Sequence, residues 1–284
     1  MVRHLLKVLL PPLSGFFPLL FSFIEREVPM FVAVLVAGVL SLFASPVGAV
    51  PINYGDQAGA TVNFLQVTES TISPGDPDDL FGAPTVSGDS IDFDPINFFS
   101  SASGAGGIDS TIGLLTLGIE AQPGYGISEL LFTEAGDYTI FGSGGAGTEA
   151  TVSAPIFIDI LEVNGAPITQ IDVDGSLTFS PSNGDYNLAD DGSGFGVIWN
   201  GSFSLDLDQV LLDNGFMAGD QVTLVSITLN NILTTTSELG TQAIIQKKDV
   251  SGFGISVIPE PTTAVLLGLG LTGLAVRRGR ERAA

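Results

Sequence analysis

The sequence predicts an all-β protein, an antiparallel β-sandwich of roughly ten strands, flanked by an N-terminal export segment and a C-terminal apolar tail. Three observations predict it. Between residues 50 and 256 apolar side chains recur every second residue, the period of a strand with one buried face. Dipeptides such as Asn164-Gly165 and Asp174-Gly175 stand between those runs and supply the positive φ that hairpins need. No stretch of that region keeps the 3.6-residue period of a long helix, so sheet packed on sheet is the economical architecture.

Taken in chain order, residues 62–67, 91–98 and 112–119 read as strands, with loops expected at 73–79 and 100–107. Residues 130–132 and 138–141 read as the arms of a hairpin turning on Glu134-Ala135-Gly136-Asp137, and a loop follows at 142–147. Ile156, Ile158 and Ile160, then Ile171 and Val173, then Leu177 and Phe179 form a meander around the two Gly-containing turns. The clearest alternation is Phe195, Val197, Trp199, Gly201, Phe203, Leu205 and Leu207, which predicts one buried face with Gly201 at a bulge or a close approach. Residues 222–233 and 253–257 complete the set.

Charge narrows the functional classes. The 284 residues carry 31 acidic and 9 basic side chains, a net charge of −22, with no cysteine and a single histidine, His4. Residues 50–256 hold 27 acids against only Lys247 and Lys248. A nucleic-acid partner is excluded, because phosphates are held mainly by Lys and Arg. Imidazole and thiol chemistry and Cys/His zinc sites are excluded from that region as well.

What remains as site material is carboxylate and aromatic. Asp76, Asp78 and Asp79 share one loop, and Asp172 and Asp174 flank a turn; both groups have the oxygen chemistry of a calcium site but also that of ordinary turn formers. Neither matches an EF-hand or a calcium-binding repeat, so the expectation is no cofactor, with calcium as the alternative. Glu120, Glu129, Glu134, Glu149 and Glu162 are available for paired-carboxylate chemistry, yet nothing sets any pair at a working separation, and no enzymatic activity is expected. Trp199 alternates in phase with core residues and is expected inside, whereas Tyr54, Tyr125, Tyr138 and Tyr186 stand beside Gly or Asp and are better placed to touch a ligand. Thr234, Thr235 and Thr236 cannot all face one side of a strand, so they make no flat threonine array.

Both ends read as targeting segments. Residues 31–44 are apolar and end in small residues, with Val47 and Ala49 at the positions a signal peptidase inspects, so cleavage is expected between Ala49 and Val50 within a signal region spanning 1–49. A permanent N-terminal anchor is the alternative. Residues 5–24 form a second apolar run broken by Pro11, Pro12 and Pro18; translation from Met30 would leave only the α-amino charge, whereas from Met1 Arg3 and Lys7 supply it. At the other end residues 262–276 form an apolar helix, followed by Arg277, Arg278, Arg280 and Arg282. At about 1.5 Å per residue this helix would reach about 22 Å, short of a hydrocarbon core of about 30 Å. It is therefore expected to be a marginal transmembrane anchor, spanning by thinning the bilayer or snorkelling its arginines, with the basic cluster stopping transfer on the cytoplasmic side.

Directly before the helix stands Val257-Ile258-Pro259-Glu260-Pro261, expected as an extended accessible strip because two prolines withhold ladder hydrogen bonds. Pro259-Glu260-Pro261, an apolar helix and a terminal arginine cluster, in that order and behind an export signal, resemble the PEP-CTERM sorting signal of bacterial envelope proteins, also known as the ice-binding protein C-terminal domain. The resemblance covers residues 257–284 and departs from the pattern in Ile258, where valine is more usual, and in the short helix. It implies an exosortase that recognises Pro259, Glu260 and Pro261 and removes the tail. It implies further a precursor in the inner membrane with its C-terminus in the cytoplasm, and a mature protein secreted or held at the surface near exopolysaccharide. The 50–256 region also resembles other members loosely, in a Glu-x-Gly-Asp-Tyr segment and a lysine pair near the last strand. The expected role is structural or adhesive; a carbohydrate-binding or carbohydrate-active module is the rival.

Overall fold

The computed structural model describes residues 50–248 and 253–261, all within one compact unit, and here the alternation becomes sixteen strands. In order these are β1 (Ile52–Ala58), β2 (Val62–Thr71), β3 (Thr85–Ser87), β4 (Ser90–Phe93), β5 (Phe99–Ser103), β6 (Gly107–Ala121), β7 (Tyr125–Gly142) and β8 (Glu149–Ser153). There follow β9 (Pro155–Val163), β10 (Ala166–Ser176), β11 (Thr178–Ser180), β12 (Asp185–Asn187), β13 (Gly194–Asp206), β14 (Val222–Ser237), β15 (Thr241–Lys247) and β16 (Phe253–Pro261). A seven-residue helix, α1 (Leu207–Asp213), caps β13, with Asp206 accepting the Gln209 N–H at 2.9 Å as its N-cap.

Every pairing is antiparallel, and hydrogen bonds join the strands into one network whose main path runs β1-β2-β6-β14-β7-β16-β4-β3. Two long strands organise it. β14 carries β6 on one side and β8 and β9 on the other, and β7 carries β13 on one side and β15 and β16 on the other. They touch each other in register only at Val222 and Ile127, so the two halves of the path fold over a shared interior. Phe132, Tyr138 and Ile140 of β7 and Val225, Ile227, Leu229 and Leu233 of β14 lie in one buried cluster. The inward faces follow the period of two: even residues on β7, odd residues on β14.

Several sequence expectations change. The stretch 130–141 is not a hairpin, since β7 runs through Glu134-Ala135-Gly136-Asp137 without turning. Gly136 serves close packing: a Cβ there would meet the Gln246 carbonyl oxygen at 2.0 Å and the Trp199 ring at 2.4 Å. β10 likewise continues through Asp174-Gly175, because Asp174 and Gly175 keep pairing with Phe157 and Ile156 of β9. The turn at Asn164-Gly165 forms as expected, with φ of +54° and +75°. Residues 100–103 are strand rather than loop, with Ser100 and Ala102 inward and the whole of β5 paired to β15. On β13 the odd residues from Val197 to Leu205 face inward, and Gly201 is the expected close approach, 2.4 Å from the Phe179 ring for an added Cβ. Phe195 is exposed because the register with β7 shifts between Gly194 and Val197, and it stacks instead on Phe141 at 5.2 Å.

The export segment with Ala49, the apolar run 262–276 and Arg277, Arg278, Arg280 and Arg282 lie outside the described residues. Val50 is described, exposed, and precedes β1. Among the described residues no helix is long and apolar enough to cross a membrane.

Candidate functional site

The sorting motif is part of the sheet. β16 pairs antiparallel with β7 along its length, Val257 opposite Leu130, Ile258 opposite Glu129, and then, after a bulge, Pro259, Glu260 and Pro261 opposite Ile127, Gly126 and Tyr125. The strip is extended, as two prolines require, but it is docked rather than free, which corrects the expectation that the motif forgoes pairing. Prolines two residues apart withhold donors from the same strand edge, so the edge that carries the Glu260 N–H can still pair. The hydroxyl of Ser128 adds a bond to the Ile258 carbonyl at 2.9 Å. β4 covers the other edge only as far as Ser256, with a last bond from the Val257 N–H to the Asp89 carbonyl at 2.9 Å, so Ile258 and Glu260 stand exposed. Glu260 lies near Asp208 of α1, whose carboxyl is raised first by burial and then by Glu260 and Asp206.

The other half of β7 holds the two lysines. Alternation along β15 puts Thr241, Ala243, Ile245 and Lys247 inward, so Lys247 is carried into the core by the same period that buries its neighbours. Its Nζ meets the carboxylate of Glu134 and donates to Asn231 Oδ1 at 2.5 Å. It lies 5.2 Å from the centre of the Phe98 ring and 6.0 Å from that of Trp199. Lys247, Glu134 and Asn231 are each at most 2% exposed. Burial pushes the Lys247 ammonium down to about 8, against the pull of Glu134 in the other direction. Lys248, one residue on and half-exposed, points the other way and pairs with Asp137, which also accepts the Gln246 side-chain amide at 2.9 Å. The Glu-x-Gly-Asp segment and the lysine pair are thus partners across the β7–β15 ladder.

The expected ligand residues are scattered. Asp78 and Asp79 are exposed, Asp79 accepting from Asn97 at 3.2 Å, while Asp76 is half-buried and raised by that burial against bonds from Thr111 and Ser73. Asp172 and Asp174 sit on the outer face of β10, Asp172 accepting from Gln170 at 2.7 Å. Among the described residues no group of three or more carboxylates or histidines is placed to hold a metal ion. Trp199 is fully buried, as its phase predicts. Tyr138 and Tyr186 are buried too and stack on each other at 4.1 Å, and the Tyr54 hydroxyl donates to Glu69, so of the four tyrosines only Tyr125 is exposed. Their neighbours, Gly and Asp, signal strand ends and polar edges here, not ligand loops.

Fold and site together define an all-β chain whose last described strand delivers a Pro-Glu-Pro motif at a sheet edge. Residues 257–280 match the model of the PEP-CTERM protein-sorting motif, and the chain carries that motif. No curated protein matches the chain. Among solved structures it is similar to a family 61 carbohydrate-binding module in complex with β-1,4-galactotriose, at 9% identity over 55% of this chain and 70% of that one, TM-score 0.20. It is similar also to the family 11 xylanase of Neocallimastix patriciarum, at 9% identity, 74% and 100% coverage and TM-score 0.20. Endoglucanase 3 of Trichoderma harzianum, from family 12, stands at 11%, 76% and 100%, with TM-score 0.19. At such scores none of the three carries an argument about this chain.

Proposed function

We propose that this chain is an exported β-sandwich protein of the bacterial envelope or extracellular matrix, sorted through its C-terminus and structural or adhesive, not enzymatic, in role. The observation that carries the reading is the sorting motif matched at residues 257–280. An exosortase would act at Pro259, Glu260 and Pro261 while the 262–276 helix and the arginines behind it hold the precursor in the inner membrane. Signal peptidase would free the other end at Val50, and the processed domain would be secreted or retained at the surface near exopolysaccharide. A domain with 27 acids and both of its lysines engaged by carboxylates is suited to a hydrated matrix rather than to a compact anionic ligand.

Changing Glu260→Ala together with Pro261→Ala in the producing cell tests the reading. The expected result is an unprocessed precursor in the inner membrane; wild-type processing and surface delivery of the double variant would overturn it. A pulldown on the strain's own polysaccharide, with wild type and with Tyr125→Ala, separates an adhesive role from a purely structural one.

A further inference from the structure

Three buried polar side chains from three strands meet in the core: Lys247 of β15, Asn231 of β14 and Glu134 of β7. We propose that Lys247 and Asn231 close an intramolecular isopeptide bond, Nζ to Cγ, with Glu134 as the carboxyl group that carries the proton. The reaction is an intramolecular amide exchange. The Lys247 Nζ lone pair adds to Asn231 Cγ, Glu134 takes a proton from Nζ and delivers it to Nδ2, the Cγ–Nδ2 bond breaks, and ammonia leaves. One C–N bond forms and one breaks; no oxidant, reductant or further reactant is needed.

Position comes first. Nζ stands 2.5 Å from Oδ1, and the carbonyl carbon is one C=O bond of about 1.23 Å away from that oxygen, so Nζ lies within about 3.7 Å of the atom it attacks. Groups held at about 3–3.5 Å gain effective molarities of roughly 10⁵–10⁸ M, the kind of advantage an unactivated carboxamide requires.

Protonation follows from the surroundings. Attack requires a neutral amine, and the rings of Phe98 and Trp199 wall Nζ off while full burial disfavours its charge. Passing the proton from Nζ to Glu134 cancels two buried charges at once, which a low-dielectric interior favours. The receiving end is also prepared. Asn231 Nδ2 and Glu134 Oε1 are both buried without a hydrogen-bond partner, so no competing bond holds the leaving nitrogen or the free carboxyl oxygen. A cluster whose only purpose were a stable ion pair would leave those two atoms as a standing cost. Lys248 provides the contrast within the same chain: half-exposed, paired with Asp137, it has water at hand and no carboxamide accepting from its ammonium among the described contacts.

The product would tie β14 covalently to β15, and β15 is paired with β7, the strand that holds the sorting motif. A bond there would resist peeling of the sheet from its C-terminal side.

Mass spectrometry of the folded full chain tests the proposal. The expected mass is short by one ammonia, about 17 Da, as acyl transfer to an amine demands. Cleavage after glutamate should then cut at Glu162 and Glu238, the Glu260-Pro261 bond resisting because proline follows, yet leave peptide 163–238 joined to the peptide that begins at Leu239. Asn231→Ala and Lys247→Arg should keep the full mass and release the two peptides separately, and Glu134→Ala, checked for folding by the fluorescence of Trp199, should do the same. Wild type that stays at full mass with separable peptides after prolonged incubation at pH 8 would overturn the bond, whatever the variants do. Loss of ammonia with the peptides separable would place the chemistry elsewhere and overturn it as well. A folded Glu134→Ala protein that cross-links as fast as wild type would overturn the role given to Glu134.

Discussion

Glu69 shows how a single side chain can set a pH response. It lies fully buried on β2, where one carboxyl oxygen accepts the Phe81 N–H at 2.6 Å and the other accepts from the Tyr54 hydroxyl. These bonds favour the carboxylate, but burial outweighs them and Asp79 adds to it, so the carboxyl is raised above its ordinary 4.5. The Tyr54 hydroxyl is raised in turn, first by its own burial and then by Glu69. The sign of the linkage follows. A group raised on folding keeps its proton in the native state after the unfolded chain has lost it, so its contribution is full below about 4.5 and is lost as pH rises through the native value. In urea titrations from pH 4 to 7 wild type should therefore lose stability relative to Glu69→Gln, which can still accept from Phe81 and donate to Tyr54. Parallel pH profiles for the two proteins would show that burial is not the dominant influence on Glu69.

At the scale of the element, β13 and β7 show what a sequence discloses. The alternation on β13 was legible because one face is buried against Phe179 and Leu177 and the other is solvated, so the period of two appears in the residues themselves. β7 was not, because Glu134-Ala135-Gly136-Asp137 has the composition of a turn, and its reason for continuing lies more than a hundred residues away in Lys247. The Glu134–Lys247–Asn231 cluster could have been suspected from one signal: Ala243, Ile245 and Lys247 share a phase, which carries a lysine inward and requires an acid to meet it. Which acid is a matter of register between strands, and register is set by pairing that one strand's sequence does not contain. β16 hides its pairing for the same reason, since its prolines argue against a ladder until β7 is seen beside it. Its docking has a consequence for processing. The strip must leave β7 to enter an enzyme's cleft, so joining Glu129→Cys to Ile258→Cys, directly opposed just before the motif, should hold it in place. Precursor should accumulate with the disulfide intact and clear on reduction. Equal processing of the oxidised and reduced forms would mean that the motif is read where it lies.

Over the whole molecule the dominant quantity is charge. Residues 50–256 carry a net −25, and both positive charges are consumed by local pairs, Lys247 with Glu134 and Lys248 with Asp137. Apart from the buried Glu69, most of the remaining carboxylates spread over the outer faces and loops, including Asp76, Asp78, Asp79, Asp172 and Asp174, with no cation among the described residues to offset them beyond those two pairs. Such a surface repels itself, and the repulsion weakens as the screening length shortens to about 8 Å at 0.15 M salt. The melting temperature should therefore rise with sodium chloride. Calcium and magnesium, compared at matched ionic strength, should raise it by the same amount, and EDTA in sodium chloride should leave it unchanged, because the aspartates act as a diffuse field and not as a coordination shell. A true calcium site would behave otherwise, adding about 2.7 kcal/mol at a hundredfold excess over its dissociation constant through mass action on the folded state alone. A calcium rise several degrees above that of magnesium would overturn the diffuse-field account, and its loss in Asp78→Ala and Asp79→Ala would then locate the site in the loop after β2.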